Sequence, residues 1–250
     1  MNYSKSIVKN KNYYKLFRAD CFRTLELLNK FNIKVDCIIV DVPYNINYQN
    51  NDWDNNFNVN ESILLSQQLL KDNGNFLLFQ GWSNVSQTVQ FIKNNTDLIL
   101  QNWIVYDRIK GRGGNRNFTS TREDILWMSK NNNYTFNKIY SNIPKKTKGL
   151  GTKNGQQNRS LTNVWYDLSP IVPWSKEKNN HPTQKPLQLL ERLVTIFSNE
   201  NDTILDFCMG SGTTGVAALK LNRNFIGIEK EKEWFELAEK RIENELYWKY

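Results

Sequence analysis

Two stretches of this sequence carry residues whose types and spacing suit chemistry. In "DVPY", Asp41 to Tyr44, a carboxylate closes an apolar run and is followed by a turn-forming proline and an aromatic ring. Asp41 has a reference pKa near 3.9, so at neutral pH it is an ionised group that only accepts hydrogen bonds. In "DFCMGSGTTG", Gly210, Gly212 and Gly215 fit G-x-G-x-x-G. That turn brings backbone close to a ligand and offers free N–H groups at a helix start. The strand-like "NFIGIE" ends in Glu229, 17 residues beyond Gly212, where a carboxylate can accept from both hydroxyls of a ribose. Loop and acidic strand end together point to a nucleoside-containing cofactor. The bare glycine pattern is equally met by tight helix–strand packing.

The residues leave two cofactor chemistries open. A dinucleotide needs its pyrophosphate at the helix start. S-adenosylmethionine needs an adenosine pocket, an acceptor for its ammonium and donors for its carboxylate. Asp206 suits the ammonium, and Thr213, Thr214 and Lys185 suit the carboxylate if "HPTQKP" (His181 to Pro186) folds beside the glycine loop.

Composition removes other classes. A single histidine, His181, argues against a zinc site or a Ser-His-Asp or Cys-His system. The three cysteines, Cys21, Cys37 and Cys208, show no C-x-x-C spacing, and Cys37, inside an apolar run, reads as core. No apolar run approaches the roughly 18 residues of a membrane span. The opening "MNYSKSIVKNKNYYK" is basic without an apolar stretch, so the expected location is cytoplasmic. The net charge is +8, and from Ile125 to Tyr166 there is no Asp or Glu, against Lys130, Lys138, Lys145, Lys146, Lys148, Lys153 and Arg159. Arg108, Lys110, Arg112, Arg116 and Arg122 precede this block. A charge run is commonly a solvated face. One this long and one-signed favours a polyanion partner.

The elements that must position these residues alternate between strand and helix. "YYKLFRAD" and "VDCIIVDVPY" read as strands, the latter buried on both faces. "NESILLSQQLLKDNG" reads as a helix closing on Gly74, followed by the strand "NFLLFQGW". The helix "SNVSQTVQFIKNN" leads to the strands "LILQNWIVYDR" and "EDILWMSK", which flank the glycine-rich loop "IKGRGGNRN". Residues 131–180 have no clear period. The amphipathic helix "LQLLERLVTIFS" follows, then "TILDFCM", "TTGVAALKL", "NFIGIE" and "KEWFELAEKRIENEL" as strand, helix, strand and helix. The pattern predicts one α/β domain over residues 1–250, built on a mostly parallel, doubly wound sheet, with 131–180 as an inserted basic region.

Together these residues resemble the S-adenosylmethionine-dependent DNA amino-methyltransferases, which modify adenine N6 or cytosine N4. "DVPY" is similar to the catalytic D-P-P-Y of that family, with Val42 in place of the first proline. "HPTQKP" resembles the loop before its cofactor half, and "LDFCMGSGTTGVAALKLNRNFIGIE" its cofactor motif, with Phe207-Cys208 where P-F is common. The order, catalytic motif first and cofactor motif last, is that of the permuted β group. The resemblance implies a class I methyltransferase fold with circularly permuted motifs and a target-recognition insert. It implies catalysis by Asp41, Pro43 and Tyr44, and cofactor binding by Asp20, Cys21, Lys185, Asp206, Gly210, Ser211, Gly212, Thr213, Thr214 and Glu229. For Asp20, capping of the helix "CFRTLELL" is an equal reading. Trp53 is read as a packed loop residue, and His181 as a loop or turn residue rather than a general base.

The expected chemistry follows. An exocyclic amine is a poor nucleophile because its lone pair is delocalised into the ring. Asp41 and a main-chain carbonyl near Val42 or Pro43 would accept its two N–H bonds, while Tyr44 stacks on the base. The base is flipped out of double-stranded DNA, gripped by the basic stretch and the loop "KGRGGNR". Aspartate in the first motif position leans to adenine, with N4-cytosine as the nearest rival. A nicotinamide-dependent oxidoreductase and an inactive DNA-binding protein are the other classes. Further expected partners are a second copy of the chain and a cognate restriction endonuclease.

Overall fold

A computed structural model describes residues 3–9, 12–46, 56–112, 115–144 and 158–247. The chain opens with a hairpin, β1 (Tyr3–Lys9) and β2 (Asn12–Arg18). The helix α1 (Cys21–Lys30) and the strand β3 (Val35–Asp41) come next. They are followed by α2 (Val59–Gln67), β4 (Leu70–Gln80) and α3 (Val85–Asn95). Two long strands, β5 (Ile99–Arg112) and β6 (Ser120–Ser129), form an antiparallel pair. Then come three short strands, β7 (Tyr140–Pro144), β8 (Asn158–Ser160) and β9 (Val164–Trp165). The last part is α4 (Leu187–Phe197), β10 (Thr203–Asp206), α5 (Thr213–Lys220), β11 (Asn224–Glu229) and α6 (Lys232–Tyr247).

The main sheet has the order β1-β2-β11-β10-β3-β4-β6-β5-β9. From β2 through β4 it is parallel, and β1 and β6 join antiparallel. The α/β expectation holds. β3 shows why Cys37 to Val40 read as an unbroken apolar run. Cys37 and Ile39 face a core shared with α4, α5 and α6, whereas Ile38 and Val40 face the core under α1, α2 and α3. Cys37 is fully buried, a core residue as expected.

Two readings are corrected. The opening residues, read only as basic, supply an edge strand that pairs with β2 over its whole length. The helix expected to close on Gly74 ends at Gln67. Gly74 lies instead in β4, at the end of a bulge. Leu70 pairs with Val35 and Asn75 with Cys37, so Lys71, Asp72 and Asn73 loop out exposed. A Cβ on Gly74 would sit 2.9 Å from the Lys71 carbonyl oxygen, which explains the glycine at this re-entry.

The aperiodic stretch after residue 130 is stitched to the core where it is described. Trp127 packs on Tyr134, Phe136 and Phe197, and Asn137 donates to the carbonyls of Thr195 and Ser198 at the end of α4. β7 and β8 form a separate two-stranded sheet, and β9 extends the main sheet beside β5.

Candidate active site

The parallel strands β2, β3, β4, β10 and β11 all end at one edge of the sheet, where ligands of open α/β folds bind. One cavity of about 960 Å³ runs along this edge. Asp20, Cys21, Asp41, Pro43, Tyr44, Lys185, Asp206, Gly210, Ser211, Thr213, Thr214 and Glu229 all line it. The chain thus brings the carboxylate end of β3 and the glycine loop into one site, although they are some 165 residues apart.

In the cofactor half, Asp206 closes β10 and is buried. Burial raises its pKa to about 7, although the Thr214 side chain and the Cys208 N–H, at 3.1 Å, donate to it. Glu229 closes β11 and accepts from the amides of Gly210 (2.9 Å) and Glu231 (2.8 Å). Burial holds its pKa above the usual carboxylate value. Asp20 caps α1, accepting from the Arg23 amide at 3.2 Å, and also lines the cavity.

The three glycines of the loop differ in their surroundings. Gly210, at φ +49°, faces the cavity, and a Cβ there would lie 2.9 Å from His181 Nε2. Gly212, expected to bind cofactor, does not line the cavity. Its hypothetical Cβ would sit 2.8 Å from the Cβ of Ala238 in α6. Gly215 likewise packs on Ile242 and Phe225. Two of the three glycines therefore serve close packing of α5 against its neighbours. The "HPTQKP" loop does lie beside the glycine loop. His181 packs edge-on to Trp234 at 4.7 Å, and burial lowers its pKa to about 4, so it stands as a neutral ring.

Phe207 packs edge-on to Phe76 and is buried. Cys208 points toward Cys21. The hydrogen bond from the Cys21 side chain, together with burial, pushes the Cys208 thiol well above its usual pKa.

In the catalytic half, Asp41 is the last residue of β3. Its Oδ1 accepts from the Tyr44 hydroxyl at 2.7 Å and its Oδ2 from Lys185 Nζ at 2.5 Å. Lys185 was expected to meet the cofactor carboxylate. It lies instead between two carboxylates, with Glu123 of β6 at 3.2 Å. Its ammonium also faces the rings of Phe79 (5.3 Å) and Tyr44 (5.9 Å). Burial alone would lower its pKa, but Asp41 and Glu123 outweigh it and raise the pKa above the ordinary lysine value. The Tyr44 ring rests on Gly81, where a Cβ would come within 3.3 Å of it. Val42 is buried in the core beneath α1, so the departure from D-P-P-Y adds packing and removes no polar group.

Three residues that pattern reading passed over belong to this site, Glu123, Tyr106 and Arg241, and Arg108 of the basic block joins them. Glu123 is opposite Tyr106 in the β5–β6 register, and Arg108 approaches Glu123 at 3.6 Å. Tyr106 lines the cavity with a buried hydroxyl that has no hydrogen-bond partner among the described residues. Arg241 of α6 donates to the Ser211 carbonyl, to Ser211 Oγ (3.0 Å) and to Thr213 Oγ1 (3.1 Å), pinning the loop that opens α5. Acid-rich and base-rich helices are ordinary, so only the tertiary contact distinguishes Arg241.

The basic region is less uniform than its composition. Arg108 and Arg122 line the cavity but are paired with Glu123 and with Asp124, the latter at 3.0 Å. Lys130 turns toward the Gln67 carbonyl at the end of α2. Trp53, Lys145, Lys146, Lys148 and Lys153 lie outside the described residues, as do Gly113 and Gly114 of the loop "KGRGGNR". Among the described residues no cluster of potential metal ligands occurs, and no helix is long and apolar enough to cross a membrane.

The site thus sets a carboxylate at the end of one strand beside a glycine loop flanked by a buried acid, Asp206, and a partly buried one, Glu229. The DNA methylase family matches residues 35–240. The chain belongs to that family. The chain is 31% identical over 237 residues to the type II methyltransferase M.HpaI of Haemophilus parainfluenzae, covering 91% of this chain and 74% of that one. It is 32% identical over 254 residues to M1.MboII of Moraxella bovis, covering 90% and 94%. The crystal structure of an M1.HpyAVI–SAM complex superimposes with a TM-score of 0.66 at 30% identity, over 91% of this chain and 99% of that chain. Membership in this family excludes the nicotinamide reading of the glycine loop. The chain is a DNA methyltransferase of the N4/N6 type.

Proposed function

We propose that the chain transfers a methyl group from S-adenosylmethionine to N6 of adenine in double-stranded DNA. The observation that carries this reading is Asp41, an acceptor at the end of β3 that shares one cavity with Asp206 and Glu229. The aspartate at the first position of the "DVPY" motif favours adenine over cytosine. The relatives named type II methyltransferases support a place in a restriction–modification pair.

The residues at the glycine loop fit the cofactor. Asp206 is a buried acid and Glu229 a partly buried one, and the start of α5 supplies N–H groups. When bound, S-adenosylmethionine supplies an activated methyl group. The Asp206 carboxylate suits its ammonium, and Glu229 suits the ribose hydroxyls. Ser211 and Thr213, held by Arg241, and Thr214, which donates to Asp206, offer hydroxyls beside the helix start.

Asp41 accepts an N–H of the target amine and draws electron density back to nitrogen. A carboxylate has about four acceptor positions, so it can hold the amine without losing every contact to Tyr44 and Lys185. The Tyr44 hydroxyl fixes the Asp41 carboxylate, and the Tyr44 ring forms the wall against which a planar base stacks. The chain's contribution is alignment and charge placement.

The test is Asp41→Ala assayed on duplexes with adenine or cytosine as the only acceptor type. Loss of transfer with S-adenosylmethionine binding retained is expected. Turnover in that variant, or label on cytosine with the parent protein, contradicts the reading.

A further inference from the structure

Each oxygen of Asp41 already holds a donor in the free chain. Tyr44 donates to one of its oxygens and Lys185 to the other. An amine arriving at Asp41 therefore competes with a buried ammonium whose pairing with that oxygen is short. Something must hold the Lys185 charge when the amine takes its place, because a buried cation left without a partner is strongly disfavoured.

The described residues contain one group placed for this. Glu123 Oε2 lies 3.2 Å from Lys185 Nζ, is buried, and carries no aligned hydrogen bond among the described residues. Its other oxygen forms an ion pair with Arg108 of β5 at 3.6 Å. Glu123 thus presents one open acceptor toward the ammonium that Asp41 also holds. The rings of Phe79 and Tyr44 flank the ammonium and limit where else it can turn.

We infer that Glu123 is a positioning residue for methyl transfer, taking over the Lys185 ammonium so that Asp41 Oδ2 is released to the target amine. The inference rests on the role of Asp41 given above. Glu123 acts through Lys185 and does not itself need to touch the base. A small change in which carboxylate holds the ammonium decides whether Asp41 is available at the moment of attack. Misplacement on this scale slows reaction by up to about a hundredfold.

The test compares Glu123→Gln with Glu123→Asp in the full-length protein, by single-turnover methylation of duplex DNA. Binding of S-adenosylmethionine and thermal unfolding are measured on both variants. Glu123→Gln keeps the shape and removes the charge, whereas Glu123→Asp keeps the charge and shortens the reach. If charge holds Lys185, the Asp variant is faster than the Gln variant, and Gln lowers the rate constant while cofactor affinity stays within about twofold. A Gln variant as fast as or faster than the Asp variant overturns the inference, since a packing role favours the isosteric side chain. Failure of the parent protein to methylate any duplex overturns the proposed function instead, and the two failures are thereby distinct.

Discussion

Gly212→Ala tests whether the loop glycines serve packing or ligand approach. Gly212 has φ +75°, and a methyl group there would sit 2.8 Å from Ala238 Cβ and 3.0 Å from its Cα. Moving an L-residue into the left-handed region costs about 1–2 kcal/mol. Forcing a methyl against the backbone of α6 adds about 1–3 kcal/mol. The variant should therefore be about 2–5 kcal/mol less stable, lowering the melting temperature by roughly 4–20 °C at about 2–4 °C per kcal/mol. The assay is thermal unfolding in the absence of any ligand, which isolates packing from cofactor contacts. A ligand-free variant that melts with the parent protein, yet no longer binds S-adenosylmethionine, would refute the packing argument.

Three further outcomes follow from the same geometry. Burial holds the Asp206 carboxyl protonated up to about pH 7, while the cofactor ammonium favours its ionised form, so binding releases a proton at acid pH. Cofactor affinity should then fall about tenfold per pH unit as pH drops below about 7, and titration calorimetry of Asp206→Asn should find this slope absent. Arg241→Met removes the charged donor that pins Ser211 and Thr213, and should weaken cofactor binding by about 1–3 kcal/mol; an unchanged affinity by calorimetry would contradict that anchoring role. Tyr106→Phe removes a buried hydroxyl without a hydrogen-bond partner among the described residues, so ligand-free stability should be unchanged or higher by up to about 1 kcal/mol, and a clear loss in melting temperature would show a missed partner.

What could be read in the sequence was what repeats along the chain or sits at a strand end. β3 is an apolar run because both its faces are covered, and Asp41 stands out as the first charge after it. Glu229 and Asp206 are visible for the same reason, each closing a buried strand. The Lys185–Glu123 pair was not legible. The two residues are 62 positions apart and meet only because the "HPTQKP" loop comes beside the start of β6, and no local period encodes that. The same limit explains the glycines. The spacing of Gly212 and Gly215 fits both a ligand cradle and a close helix contact, and only α6, some 25 residues later, decides for the contact. Gly74 misled because "LLKDNG" continues a helical pattern, whereas pairing with β3 recruits its ends into a bulged strand.

The most direct measurement is to treat unmodified genomic DNA with the protein and S-adenosylmethionine, then map every modified base by sequencing. N6-methyladenine within one recurring sequence, absent when Asp41→Ala replaces the parent protein, is the predicted result. N4-methylcytosine at the mapped positions, or methylation that survives loss of Asp41, would contradict the account.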